Sequence, residues 1–393
     1  MNVSWLTLVF LPQTKIKACL RVSNLAAVKQ TKHALIQRFA KSNNLRAFSQ
    51  VLTTLLPLAL LWLAVDWSGD VSYWLTALLV PLLSLMLLRV FVLMHECGHG
   101  SMFSDPRLNR GFGFVFGVLC GMPQAVWSQH HQFHHASNGN WDRYRGPLNV
   151  LSVDDYAALT PQQQARYCHS RSIWLAPLAG FMYLLFSPRI NWLRGSSGLL
   201  WHLLRQKLVR PAASLRLLAS EFSSRYWSTA QQYWAMFWNN VVLLLLWLLL
   251  GWLLEPLLFA LVYVSSLSLA GGAGIVLFSV QHNFEHAYAS SDDGWDYDQA
   301  ALQGTSFLLL PRWLNWLTLD IAYHHIHHLS ARIPNYRLQA CHAENASLFS
   351  GVHRVTLRQI PAALQYILWD RQARHLISVA EYQQKQAAAG HNH

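Results

Sequence analysis

Charged residues are what this sequence has least of: 12% of its 393 positions, against 53% that are hydrophobic. So few charges cannot coat a water-soluble globule of this length, and a membrane is the solvent that fits the proportions. Acidic residues are scarcest, 18 against 30 Lys and Arg, which leaves a formal net charge of +12. Such an excess could point to nucleic acid. The basic residues, however, stay out of the apolar runs and gather beside them, as the positive-inside rule expects, so no nucleic-acid partner is expected. Cysteine is rare as well. Cys19, Cys97, Cys120, Cys168 and Cys341 show no paired spacing, which argues against a disulfide framework or a zinc ribbon. The stretch Met1 to Pro12 is apolar but lacks the charged start of an export signal, so no cleaved signal is expected.

What the chain has instead is four apolar runs long enough to cross roughly 30 Å of hydrocarbon: about Phe48 to Val65, Tyr73 to Met94, Phe237 to Leu254 and Leu257 to Val280. They make two helical hairpins. Their links, Asp66 to Asp70 and Glu255-Pro256, are short and carry no Lys or Arg. Residues 1–47 carry eight Lys/Arg and no acid, and residues 188–233 carry seven against the single Glu221. Both basic segments are expected on the cytoplasmic side. Two shorter runs, Gly111 to Trp127 and Ile173 to Phe186, read as interfacial or re-entrant helices; Gly113, Gly117, Gly121 and Pro123 break the first. A membrane domain over 48–336 then gives way to a cytoplasmic tail over 337–393, read as helical with a frayed polar end from Gln383. Trp67, Trp74, Trp234, Trp238 and Trp252 lie at the ends of apolar runs and read as interfacial anchors.

Twenty histidines remain, and ten sit in three short words: His95-Glu-Cys-Gly-His99, His130-His-Gln-Phe-His-His135 and His324-His-Ile-His-His328. At this histidine frequency an HxxxH pair arises about once by chance, but an HxxHH word only about 0.05 times. The two HxxHH words therefore carry the argument. Spacings of three and four put side chains on one helix face, so His95 with His99, His131 with His134 and His135, and His324 with His327 and His328 can each grip metal together. Eight imidazoles exceed what one four-coordinate zinc uses, but suit two iron ions that each keep a position open for oxygen. A further word, Gln281 to His286, offers His282 or His286 as another ligand. His130 and His325 point off the ligand stripe and read as surface or supporting residues. Ligating histidines usually donate their second N–H to an acceptor, and Glu96, Glu285 and Asp320 are placed to serve.

His95-Glu96-Cys-Gly-His99 also spells the zinc-protease helix HExxH, but an intramembrane metalloprotease would leave both HxxHH words without a role. A metal transporter is opposed by the four spanning runs, which contain no histidine or carboxylate.

The order HxxxH, HxxHH, HxxHH resembles the membrane fatty acid desaturases. The wider words His-Glu-Cys-Gly-His-Gly-Ser, His-His-Ala-Ser-Asn-Gly-Asn-Trp-Asp and Tyr-His-His-Ile-His-His-Leu-Ser-Ala-Arg-Ile-Pro-Asn-Tyr resemble the bacterial and cyanobacterial acyl-lipid members, over roughly His95 to Tyr336. The resemblance implies an all-α integral-membrane four-helix bundle, with a cytoplasmic helical cap holding a di-metal site, in a bacterial inner membrane. It implies two irons held by His95, His99, His131, His134, His135, His324, His327, His328 and one histidine of the Gln281 to His286 word. It also implies a cis double bond placed in a fatty acyl lipid with O2, and electrons from a ferredoxin or similar donor. Acyl hydroxylation and carotenoid ketolation use similar boxes and stay open as alternatives. Head-group recognition is expected of Asn138, Trp141, Arg143 and Arg145, just after the second box.

Overall fold

The structure, a computed structural model, describes residues 13–146 and 149–390, so the stretch Met1 to Pro12 and the isolated His391 and His393 lie outside it. Helix α1 (Gln13–Phe39) precedes α2 (Asn44–Val71), which starts where the Asn43 side chain accepts the Arg46 amide. One extended residue, Ser72, separates α2 from α3 (Tyr73–His99). The expected Asp66 to Asp70 link is helical, and Ser68 Oγ lies 2.8 Å from Thr76 Oγ1 across the turn. Next, α4 (Pro106–Leu119) and α5 (Gln124–Ser137) meet at a 102° bend. Gly121 in that bend has φ +75°, which favours glycine, and a Cβ on Gly117 would sit 2.5 Å from the Met122 carbonyl.

A helical run over Ile173–Val209 contains α6 (Ala176–Phe181), a π-turn at Met182–Phe186, and α7 (Ser187–Val209). A last hairpin joins α8 (Ala230–Leu253) to α9 (Pro256–His282), whose first turn carries Pro256 and is capped by the Glu255 carboxylate. Five described helical segments are long and apolar enough to cross a membrane: α2, α3, the 173–209 run, α8 and α9. The sequence predicts four spans and reads Ile173 to Phe186, the start of the 173–209 run, as an interfacial or re-entrant helix. That run passes by length and composition and carries within it Arg189. Its guanidinium is satisfied inside the bundle by Asn239, Asn240 and the Gly121 carbonyl.

The core joins Leu83, Val90 and Leu93 of α3 to Val262, Leu267 and Ala270 of α9. Helix α6 crosses α9 with almost no space between backbones. A Cβ on Gly271 would lie 2.7 Å from Gly180, and one on Gly272 2.8 Å from the Pro177 nitrogen. The five predicted tryptophan anchors are all exposed, as lipid-facing groups should be.

A cap covers the ends of α3 and α9 that carry histidine. It contains α10 (Tyr297–Gln303), α11 (Arg312–Leu317), α12 (His324–Leu329) and α13 (Asn335–Glu344). The chain is mostly helical rather than all-α, because the cap also holds strands β1 (Leu151–Ser152), β2 (Ser306–Leu309), β3 (His353–Thr356), β4 (Tyr366–Asp370) and β5 (His375–Ser378). Strand β4 pairs in parallel with β1, Leu368 opposite Leu151, and antiparallel with β5; β2 pairs in parallel with β3, Ser306 opposite His353. The tail expected to be helical thus carries three strands. Apolar runs of four or five residues suit either state, and distant partners decide between them. Helix α1 lies against the cap, with Val28, Leu35 and Phe39 buried among Ile326, Leu329 and Leu338.

Candidate metal centre

The last turn of α3 carries His95 and His99, the last residue of α9 is His282, α5 supplies His131, His134 and His135, and α12 supplies His324, His327 and His328. Four separate elements thus point imidazoles at one spot beneath the cap. The nine form two groups: His95, His99, His131, His135 and His327 in one, and His134, His282, His324 and His328 in the other. Within each group the possible ligand atoms all lie within 4.8 Å of one another, close enough to hold one metal ion apiece. The groups abut, since the His135 and His328 rings stack with centroids 4.2 Å apart.

Nε2 faces Nε2 at 3.2 Å between His95 and His99, 3.1 Å between His131 and His135, and 3.0 Å between His282 and His324. Such a pair is satisfied only if one ring carries its hydrogen on Nε2; with both hydrogens on Nδ1, two lone pairs face each other. His327 is fully buried, and neither of its ring nitrogens has a hydrogen-bond partner. Each buried polar atom left so costs about 1–3 kcal/mol, and a cation among the lone pairs would remove the cost. Burial, reinforced by neighbouring imidazoles, holds His324, His327 and His328 well below the ordinary histidine pKa. They are therefore neutral, the form that binds metal.

Two ligand-orienting contacts are in place. Glu96 Oε1 lies 3.1 Å from His95 Nδ1, and its Oε2 accepts the Asn335 amide at 3.0 Å and the Ser101 hydroxyl at 3.2 Å. His282 Nδ1 donates to the Gly304 carbonyl at 3.3 Å. Each contact places the ring proton on Nδ1 and leaves the Nε2 lone pair facing the group. Tyr297 donates to the His328 carbonyl at 2.7 Å, and Trp127 stacks on His131 with centroids 4.5 Å apart.

A cavity of about 840 Å³ opens beside the histidines. His95, His131, His134 and His324 line it, drawn from both groups. From there it runs down between α3, α6 and α9 along side chains that are mostly apolar. Of its lining, Gln129, His130, Phe133, Ala179 and Tyr183 are exposed, the first three beside the histidine mouth, whereas Leu87, Leu267 and Ala270 are buried.

Residues 71–360 match the profile of the family described as Fatty acid desaturase. A fatty acid desaturase of Bacillus subtilis (strain 168) is 31% identical over 347 residues, 87% of this chain and 88% of that protein. The sn-1 oleoyl-lipid 12-desaturase of Picosynechococcus sp. is 26% identical over 255 residues, 64% of each chain. The chloroplastic omega-6 fatty acid desaturase of Brassica napus is 28% identical over 258 residues, covering 64% of this chain and 49% of that one.

This chain belongs to the fatty acid desaturase family. It is accordingly an oxidoreductase, and its cavity is lined mostly by apolar side chains. The zinc-protease reading of the first box has no free base in this desaturase, because Glu96 is committed to His95, Ser101 and Asn335.

Several residues singled out in the sequence stand away from the centre. His286 has a positive φ of 58° and turns toward Glu285 and His375, so of the two histidines in its word only His282 joins a group. Glu285 is exposed beside it. Asp320 makes no hydrogen bond to His324; burial raises its carboxyl to about 6 against the pull of Arg89. Asn138 donates to the Ala300 carbonyl, Trp141 packs near Trp369, Arg143 pairs with Asp292 at 2.7 Å and Arg145 with Asp155 at 2.6 Å. All four brace the cap, and none lines the cavity. His325 is buried against His342, 3.0 Å away, while His130 is exposed at the mouth.

Asn335, Gly304, Tyr297 and the cavity wall escaped the sequence reading. Asn335 alone had a signal there, as part of the Ile-Pro-Asn-Tyr words after the third box.

Proposed function

We propose that this desaturase holds two iron ions between its nine gathered histidines and places a cis double bond in the acyl chain of a membrane lipid. The observation that carries the reading is the cavity: a mostly apolar channel that passes histidines of both groups and reaches the buried Leu87, Leu267 and Ala270. Neutral nitrogen donors suit ferrous iron as they suit zinc, but nine of them around two positions exceed the needs of two tetrahedral zincs. When bound, iron supplies the redox chemistry with oxygen that an unactivated C–H bond requires. The net reaction removes two hydrogens from neighbouring methylenes and reduces O2 to two waters, with two electrons and two protons from outside.

The chain's own part is placement. Leu88, Phe91 and Phe278 hold the chain against the histidines and keep water out, so its methylenes are fixed by shape rather than by charge. Glu96 and the Gly304 carbonyl keep His95 and His282 aimed while the substrate slides past. The basic 1–47 and 188–233 segments support a cytoplasmic cap in a bacterial inner membrane. The net charge of +12 suits an acidic electron carrier such as a ferredoxin.

Lipid analysis after expression in a host that makes only saturated chains tests this, together with metal analysis of the purified protein. The expected result is a new cis double bond and about two irons per chain. A new alcohol in place of the double bond, or one zinc and no iron, overturns it.

A further inference from the structure

Three glycines on α9 stand close together, and packing explains only two of them. Glycine destabilises a helix interior relative to alanine, so each needs a reason to be there. Gly271 and Gly272 have one, since a Cβ on either would strike the backbone of the crossing segment around Gly180 and Pro177. Gly274 does not. A Cβ there would meet nothing nearer than Leu88 Cδ1 at 3.6 Å, an ordinary van der Waals distance.

Gly274 lines the cavity, and so does Leu88 opposite it on α3. It lies eight residues before His282, about 12 Å down the helix, and Leu88 lies seven before His95, about 10 Å down. Both therefore stand below the histidines, in the part of the cavity that the buried Leu87, Leu267 and Ala270 also line. An acyl chain has no charge by which to fix its register, so the room left below the reacting carbons must fix it. The missing side chain at 274 is room of that kind.

We infer that Gly274, facing Leu88, sets how many carbons of the acyl chain lie between the new double bond and the methyl end. The inference rests on the acyl-chain reading of the cavity. A larger residue at 274 narrows the lower compartment. The chain must then either sit further out or be shorter, and on both routes fewer carbons remain beyond the double bond.

The test is the series Gly274→Ala, Gly274→Val and Gly274→Leu in the full-length protein, with products analysed for chain length and double-bond position. Gly274→Ala keeps the helix intact, and the count of carbons beyond the double bond should fall by at least one by Gly274→Leu. The converse change, Leu88→Ala, should raise it. A binding readout runs in parallel: free saturated fatty acids of graded length, added to purified protein, should raise the thermal stability of Gly274→Leu only up to a shorter chain than for the unaltered protein. An unchanged count, or equal loss of turnover at every chain length, overturns the inference. If the unaltered protein makes no double bond, the function fails, and the binding cut-off still decides the role of Gly274: a cut-off that moves supports it and one that does not refutes it.

Discussion

Glu96 divides its two oxygens between a histidine ring and the start of α13, and so couples the first box to the residues after the third. Loss of an orienting partner of this kind lowers metal affinity about 10–100-fold. Glu96→Ala should show that drop in a chelator competition assay, whereas Glu285→Ala, at an exposed carboxylate, should leave affinity unchanged. The two histidines of the fourth word separate in the same way. His282 faces His324 at 3.0 Å, but His286 faces outward, so His282→Ala should strip metal and turnover while His286→Ala keeps both. Equal metal content in the two variants would remove His282 from the proposed ligand set. The residues expected to meet a head group do not line the cavity, and polar residues near a metal box can brace a loop as well as meet a ligand. Arg143 and Arg145 do the former.

Helix α1 was legible only as a basic segment, yet it packs along the cap. Its ion pairs, Lys29 with Asp296, Lys32 with Asp298 and Arg38 with Glu344, are partly exposed and worth about 0–1 kcal/mol each. Its apolar face matters more: Leu35 and Phe39 are 6% and 4% exposed within the cap core, and truncating either should cost about 2–5 kcal/mol. Leu35→Ala should therefore lower the melting temperature clearly, and Lys29→Ala barely. At the α6–α9 crossing, Gly271→Val forces two backbones apart. The strain, about 1–3 kcal/mol or more, should appear as lost folding yield in detergent. These elements differ in how far their causes lie along the chain. Helices α2, α3, α8 and α9 announce themselves through long local runs, whereas β4 and β5 exist through pairing with each other and with Leu151–Ser152.

Across the whole molecule the spanning bundle and the cap are held by different forces. The bundle packs apolar side chains around α3 and α9. The cap closes over a cluster of imidazoles, several with unpartnered nitrogens. Metal that binds the folded cluster stabilises the cap selectively. Removing it with a chelator should speed hydrogen exchange in 95–101 and 324–344 and leave 44–71 unchanged. Uniform loss of protection along the chain would contradict this division.

Composition and periodicity by themselves determined that the chain has long apolar helices, and that three histidine words each set their imidazoles on one helix face. Both properties are local: span length depends on consecutive apolar residues, and ligand faces depend on spacings of three and four. Only the tertiary structure decided which histidines share a group, that His282 joins and His286 does not, that Asn335 holds Glu96 beside His95 and Gly304 accepts from His282, and which side chains line the cavity. Those outcomes depend on residues far apart in sequence meeting across packed helices, and the spacing within one word carries no record of which other words it will face.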